Sequence, residues 1–162
     1  MNEEQARVLS TRNLLKVAPV LKPHLLSKSW ILYGAPQQHA FYISDNPVTM
    51  NKTLNKDLLP GTLGLRVPGI EIYLPLSRHL CLGFLCPTIE ARFRDGQKIQ
   101  WIKALDGHEA LALIPENVTF LNSLQVISAE RHVYSSNDDF SLVREMLQSH
   151  TALRGGNRYP RA

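Results

Sequence analysis

Asp45 is the side chain in this sequence best placed to do chemistry. It follows the apolar run Ala40-Phe41-Tyr42-Ile43 and Ser44, and it precedes Asn46-Pro47. Pro47 disfavours helix at Asn46, and an Asp at such a turn can fold its carboxylate onto a nearby backbone N–H. A carboxylate fixed at a strand end can also bind a metal ion or move a proton. Glu71, inside a second apolar run, is a candidate partner, and Lys28 or Lys52 would complete a nuclease-like cluster. The segment Glu71-Ile72-Tyr73 lacks the Lys that such sites carry two positions after the acid. The preferred reading is structural: Ser44 and Asp45 satisfy turn amides, and Asn46-Pro47 sets the chain direction.

Other candidates are thinner. His79 and Cys81 alternate on one face of a strand and could share a metal or form a thiol–imidazole pair. Two ligands without a third favour a packed strand instead. Asn122 and Gln125, three apart on a helix, can meet and line a polar site, with Arg131 nearby. As buried polar groups they would also serve to tie the helix to its neighbours. Familiar motifs fail on inspection. Gly64-Leu65-Arg66-Val67-Pro68-Gly69 has the glycine spacing of a phosphate loop, but Ile70-Glu71 follows where Lys and Ser/Thr belong. His108-Glu109 opens like a zinc-protease helix, and Ala112 occupies the second His position. No Gly-x-Ser-x-Gly elbow is present. No cofactor is predicted; a divalent metal at Asp45 and Glu71 belongs to the alternative reading alone.

These side chains need elements to hold them. Residues 3–27 carry Ala6, Leu9, Leu14, Val17, Leu21 and Leu25 at roughly helical spacing, with Pro19 and Pro23 predicting a kink or two short helices. Trp30-Ile31-Leu32-Tyr33 and Ala40-Phe41-Tyr42-Ile43 read as two strands joined in a hairpin. Residues 49–62 read as polar loop. Ile70–Leu74 and His79–Phe84 are two further strands, with Pro75-Leu76-Ser77-Arg78 at the corner. Residues 88–112 fit either a hairpin or a helix pair, because Asp95-Gly96 and Asp106-Gly107 both look like turns. Pro115 and Glu116 start a helix that carries Val118, Leu121 and Leu124 on one stripe. Val133-Tyr134 is a short strand. Ser136, Asn137 or Asp138 caps a last helix with Phe140, Val143, Met146 and Leu147 on its apolar face.

Composition sets the class. A chain of 162 residues fits one domain and buries roughly two-thirds or more of its unfolded surface. A hydrophobic fraction of 44% and a charged fraction of 20% are ordinary for a folded protein. No apolar run approaches the roughly 20 residues needed to span a bilayer, and Met1-Asn2-Glu3-Glu4-Gln5 lacks the layout of a secretion signal. The expectation is a cytoplasmic protein with no membrane partner. Cys81 and Cys86 are too few for a disulfide framework and read as reduced core thiols. The net charge of +4 lies in residues 1–81, with nine Lys/Arg against five Asp/Glu; residues 82–162 carry nine of each. Lys16, Lys22 and Lys28, with Arg154 and Arg158 in the tail, are the candidate nucleic-acid contacts.

Four stretches resemble segments of a known family. Phe41-Tyr42-Ile43-Ser44-Asp45-Asn46-Pro47-Val48 resembles the F-I-T-S-D-N-P-V signature of a bacterial and phage family, the domain of unknown function numbered four thousand two hundred and thirty-eight. Leu74-Pro75-Leu76-Ser77 resembles its P-L-S segment. Leu121–Gln125 and Ala129–Ser135 resemble its L-N helix and A-x-R-x-V-Y-S ending, so that residues 28–147 follow the family's order. The family's opening H-H-Y-V-P-Q segment has no counterpart here. The resemblance implies no established reaction. It implies that Ser44, Asp45, Asn46, Ser77, Asn122, Arg131 and Tyr134 converge, as a hydrogen-bonded core or as a site.

The resulting expectation is an α+β domain: a central antiparallel or mixed sheet of about four to six strands, with helices from both chain ends packed on it. Residues 1–27 form a helical segment, 28–153 the domain, and 154–162 a basic flexible tail. The leading functional expectation is a non-catalytic domain that binds a partner, related to a larger bacterial or phage enzyme or defence protein. The alternatives are a metal-dependent nuclease or hydrolase with Asp45 and Glu71 as ligands and His79 or a Lys assisting, and a nucleic-acid-binding protein. Oligomeric state is not legible in the sequence.

Overall fold

Alternation along the apolar runs builds one sheet. In β1 (Ser29–Gly34), Ile31 and Tyr33 point inward while Trp30 and Leu32 face out. In β5 (Leu80–Leu85), Cys81 and Leu85 point inward. β4 (Ile70–Pro75) is buried along almost its whole length. The protein is described by a computed structural model over residues 16–53 and 64–154. The five-stranded sheet has the order β3-β4-β5-β1-β6, with β3 at Thr49–Lys52 and β6 at Leu111–Ala112. β1 and β6 run parallel and the other pairs antiparallel, so the sheet is mixed and the fold is α+β.

Trp30 pairs with Phe84 across β1 and β5, and their rings meet edge-to-face at 4.9 Å on the outer face. On the inner face Tyr33 lies across Gly83. A Cβ at Gly83 would stand 2.4 Å from the Tyr33 ring, so only glycine fits beneath it.

The inner face is covered by α2 (Pro87–Asp95), α3 (Ile99–Leu105) and α4 (Pro115–Ser128) through Ile89, Ala104, Val118 and Leu121. Residues 88–112 thus resolve as a helix pair followed by β6. Gln97 and Gly107, both at positive φ, terminate α2 and α3. Pro87 and Pro115 begin their helices, where a missing N–H costs nothing. Residues 16–26 form α1, which runs as one helix through Pro19 and Pro23; residues 3–15 of the expected helix lie outside the described residues. The Trp30 indole N–H donates to Leu25 O at 3.2 Å and ties the end of α1 to β1. α5 (Ser141–Ser149) packs on α4, and a 3-10 turn follows at Thr151–Arg154. Arg154, the first residue of the expected tail, ends that turn, and residues 155–162 with Arg158 lie outside the described residues.

Three expectations are corrected. Residues 40–43 do not form a hairpin with 30–33, because β5 and β6 already occupy the two edges of β1. Ile43–Ser44 (β2) instead pairs with Val133–Tyr134 (β7) in a separate two-stranded sheet. The polar Thr49–Lys52 is a strand and not a loop; it stands at the sheet edge, where polar residues are tolerated. The last helix starts later than expected. Phe140 stands at its cap position, and Asp139 Oδ1 accepts the Ser141 N–H at 2.9 Å. Among the described residues no helix is long and apolar enough to cross a membrane.

Candidate functional site

Residues 40–44 are mostly buried, yet only Ile43 and Ser44 have a strand beside them, and the chain bends at Asp45 and Asn46. Their backbone groups need partners, because an unpaired buried amide or carbonyl is costly. α4 supplies them. Asn122 Oδ1 accepts the Tyr42 N–H at 2.8 Å, and Asn122 Nδ2 donates to Ala40 O at 2.9 Å. One turn later Gln125 Oε1 accepts from both Ser44 N and Ser44 Oγ at 3.0 Å, and Gln125 Nε2 donates to Pro47 O at 2.8 Å. The i, i+3 spacing puts both amides on one helix face. Two side chains therefore do for this segment what a neighbouring strand would do.

Asp45 closes the other end of this clasp. Its carboxylate accepts backbone N–H groups from Glu130, Arg131 and His132 at 2.9, 2.8 and 3.3 Å, in the bend that follows α4. Desolvation pushes the Asp45 carboxyl up, but these amides outweigh it and hold it below the ordinary value. Asn46 Nδ2 donates to Ser128 O at 3.3 Å, and the Asn46 N–H donates to Ser44 Oγ. Asp45 thus accepts backbone amides as the structural reading expects; three come from a distant bend, and its own N–H adds to them.

Beside the clasp lies a cleft of about 360 Å³. Three separate segments meet there: Phe41 and Ile43, then Pro75 to Arg78, then Tyr134 to Ser136. Ile43, Leu76 and Tyr134 are 41%, 54% and 53% exposed. Ser77 Oγ accepts the His79 and Leu80 N–H groups, which holds the corner between β4 and β5. Tyr134 stacks on His132 at 6.1 Å.

The candidate residues therefore divide. Ser44, Asp45, Asn46 and Asn122 converge in the clasp, Arg131 joins it through its backbone N–H, and Ser77 and Tyr134 line the adjoining cleft. Asp45 and Glu71 do not share a partner. The Glu71 carboxylate is held by Asn51, its neighbour on β3, and by Thr53 just past the end of that strand. His79 accepts from Arg78 Nε at 2.8 Å and stands just before β5. Among the described residues no three His, Cys, Asp or Glu side chains assemble as a metal site. Lys16 and Lys22 are exposed on α1, whereas Lys28 is buried, and that burial lowers its pKa. Cys81 is buried and its thiol is pushed up to about 12 by that burial; Cys86, half-buried, is held below its ordinary value by Thr88, the Gly69 amide and Lys28, against its own desolvation. Sequence reasoning missed Leu76 and Arg78 as lining residues; the only available signal was their place within and beside the Pro75-Leu76-Ser77 segment.

A mixed sheet covered by helices, with a segment clasped by side-chain amides of α4, defines an α+β domain. The family described as a protein of unknown function, DUF4238, matches residues 2–139, and the chain belongs to it. No curated protein and no solved structure matches the chain.

Proposed function

We propose that this is a non-catalytic, cytoplasmic binding domain that takes a protein partner on the cleft formed by Phe41, Ile43, Leu76, Arg78 and Tyr134. The observation that supports this reading is the gathering of three half-exposed apolar side chains, Ile43, Leu76 and Tyr134, in one concavity with an exposed Arg at its rim. Aromatic and Arg side chains around an apolar centre are the residues that carry binding energy in protein interfaces. An apolar side chain of the partner would fill the cleft, and a partner carboxylate would pair with Arg78. The carboxylate of Asp45 is engaged by three amides and serves the reading as a brace that fixes β2 and β7.

Selection of a displayed peptide library on the intact chain tests this. Enriched peptides should share a bulky apolar residue near an acid. Each of Leu76→Asp and Tyr134→Ala should weaken their binding at least tenfold, equivalent to about 1.4 kcal/mol. Peptides that bind both variants as tightly as the parent chain would place the interface elsewhere and overturn the reading.

A further inference from the structure

A second cleft, of about 340 Å³, opens between the sheet and helices α3 and α4. Its floor is Glu71, only 8% exposed. Asn51, directly opposite in register, donates Nδ2 to Glu71 Oε2 at 3.1 Å, and the Thr53 hydroxyl donates to the same oxygen. The Tyr73 hydroxyl is also hydrogen-bonded to this carboxylate. Every one of these partners is neutral. Among the described residues no Lys, Arg or His pairs with Glu71 or lines the cleft.

The walls are aromatic: Tyr33, Tyr73, Trp101 and Phe120. Tyr33 and Trp101 meet edge-to-face at 6.0 Å, and Trp101 stacks on Phe93 at 4.0 Å, so the rings brace one another. Burial and the neighbouring Glu71 push both tyrosine hydroxyls far above their ordinary value. They stay protonated and add no charge of their own. A buried carboxylate is costly unless it is paired. Ring faces present negative potential and attract cations. Carboxylate and rings therefore ask for the same complement, a positive charge on a body that can touch aromatic faces. The volume sits at the small end of ligand sites.

We propose that this cleft binds a small organic cation, a primary ammonium or guanidinium on a short aliphatic chain, with the charged head on Glu71 and the chain between Trp101 and Phe120. The site is separate from the partner cleft, and the two share no lining residue.

Trp101 supplies the signal. The chain has two tryptophans, and Trp30 stands on the outer face of the sheet, so Trp30→Phe leaves Trp101 as the reporter. Titration of that full-length chain with agmatine or putrescine should change its fluorescence saturably, while 1-butanol at equal concentration should not. Glu71→Gln, nearly the same shape without the charge, should weaken binding at least tenfold. Phe120→Ala, at a half-exposed position on the mouth, should weaken it severalfold without touching the sheet, and decides the matter if Glu71→Gln fails to fold. The proposal is overturned if neither amine binds saturably, if butanol binds as well, or if the folded variants bind as tightly as the parent.

Discussion

Replacing Asn122 by Ala tests whether the helix amides truly stand in for a strand. The side chain is buried and makes two hydrogen bonds to buried backbone, to Tyr42 N at 2.8 Å and Ala40 O at 2.9 Å. The substitution strips both groups at once. Each stranded backbone group costs about 1–3 kcal/mol, so roughly 3–4 kcal/mol is expected for the pair. That is a large share of the ~5–15 kcal/mol by which a domain is stable. At roughly 3 °C per kcal/mol for a chain of this size, the midpoint should fall by about 10 °C. Urea and thermal denaturation measure the loss, with Ser123→Ala on the same helix as the control. Ser123 donates only to Phe120 O on the exposed side, and its loss should stay within about 0.5 kcal/mol. Amide exchange at Tyr42 should accelerate in the Asn122 variant. An Asn122→Ala protein as stable as the Ser123→Ala control, with Tyr42 still protected, would refute the clasp.

Two further outcomes follow from the same geometry. Asp45 has a folded pKa below its ordinary value of 3.8, so its contribution is complete above that value and is lost as pH falls through the lower folded one. The stability gap between the parent and Asp45→Asn should therefore be constant from pH 7 to 5 and shrink below 3.8; a gap that widens on acidification would contradict the brace. Gly83→Ala places a methyl 2.4 Å from the Tyr33 ring, and overpacking of this kind costs about 1–3 kcal/mol. Because Tyr33 touches Trp101, the variant should also shift tryptophan fluorescence, and an unchanged spectrum with unchanged stability would show that the ring is free to move aside.

How much of this was legible depended on how local each cause is. Pro115 and Glu116 mark the start of α4 because helix initiation is decided within one turn. Ala40–Ile43 reads as extended because its side chains are apolar and bulky, and it is extended. Nothing in those four residues says what will satisfy their backbone, and the answer lies on α4. The Thr49–Lys52 strand escaped because an edge strand needs no alternation of apolar residues. The pairing of Tyr33 with Leu111 escaped because no local pattern encodes a parallel partner so far along the chain. Asp45 was legible in kind, as an acceptor of amides, but the bend at 130–132 that supplies them was not. Lys28 looked like a surface charge in sequence, and its burial is a tertiary fact.

The clasp also changes where function should be sought. A Ser-Asp-Asn-Pro turn invites a catalytic reading because it concentrates polar atoms. Here Ser44 and Asp45 are engaged by Gln125 and by the 130–132 amides, and Asn46 reaches Ser128 O. Those bonds give each of these side chains a structural task in the fold. What the turn does leave open is geometric. By fixing β2 against β7 it sets Ile43 beside Tyr134, and it anchors one wall of the partner cleft. β4 links the two clefts, with Glu71 and Tyr73 facing the aromatic one and Pro75 and Leu76 reaching the other. Arg78 is exposed beside one cleft and Glu71 is buried beneath the other, so the two proposals call for ligands of opposite charge.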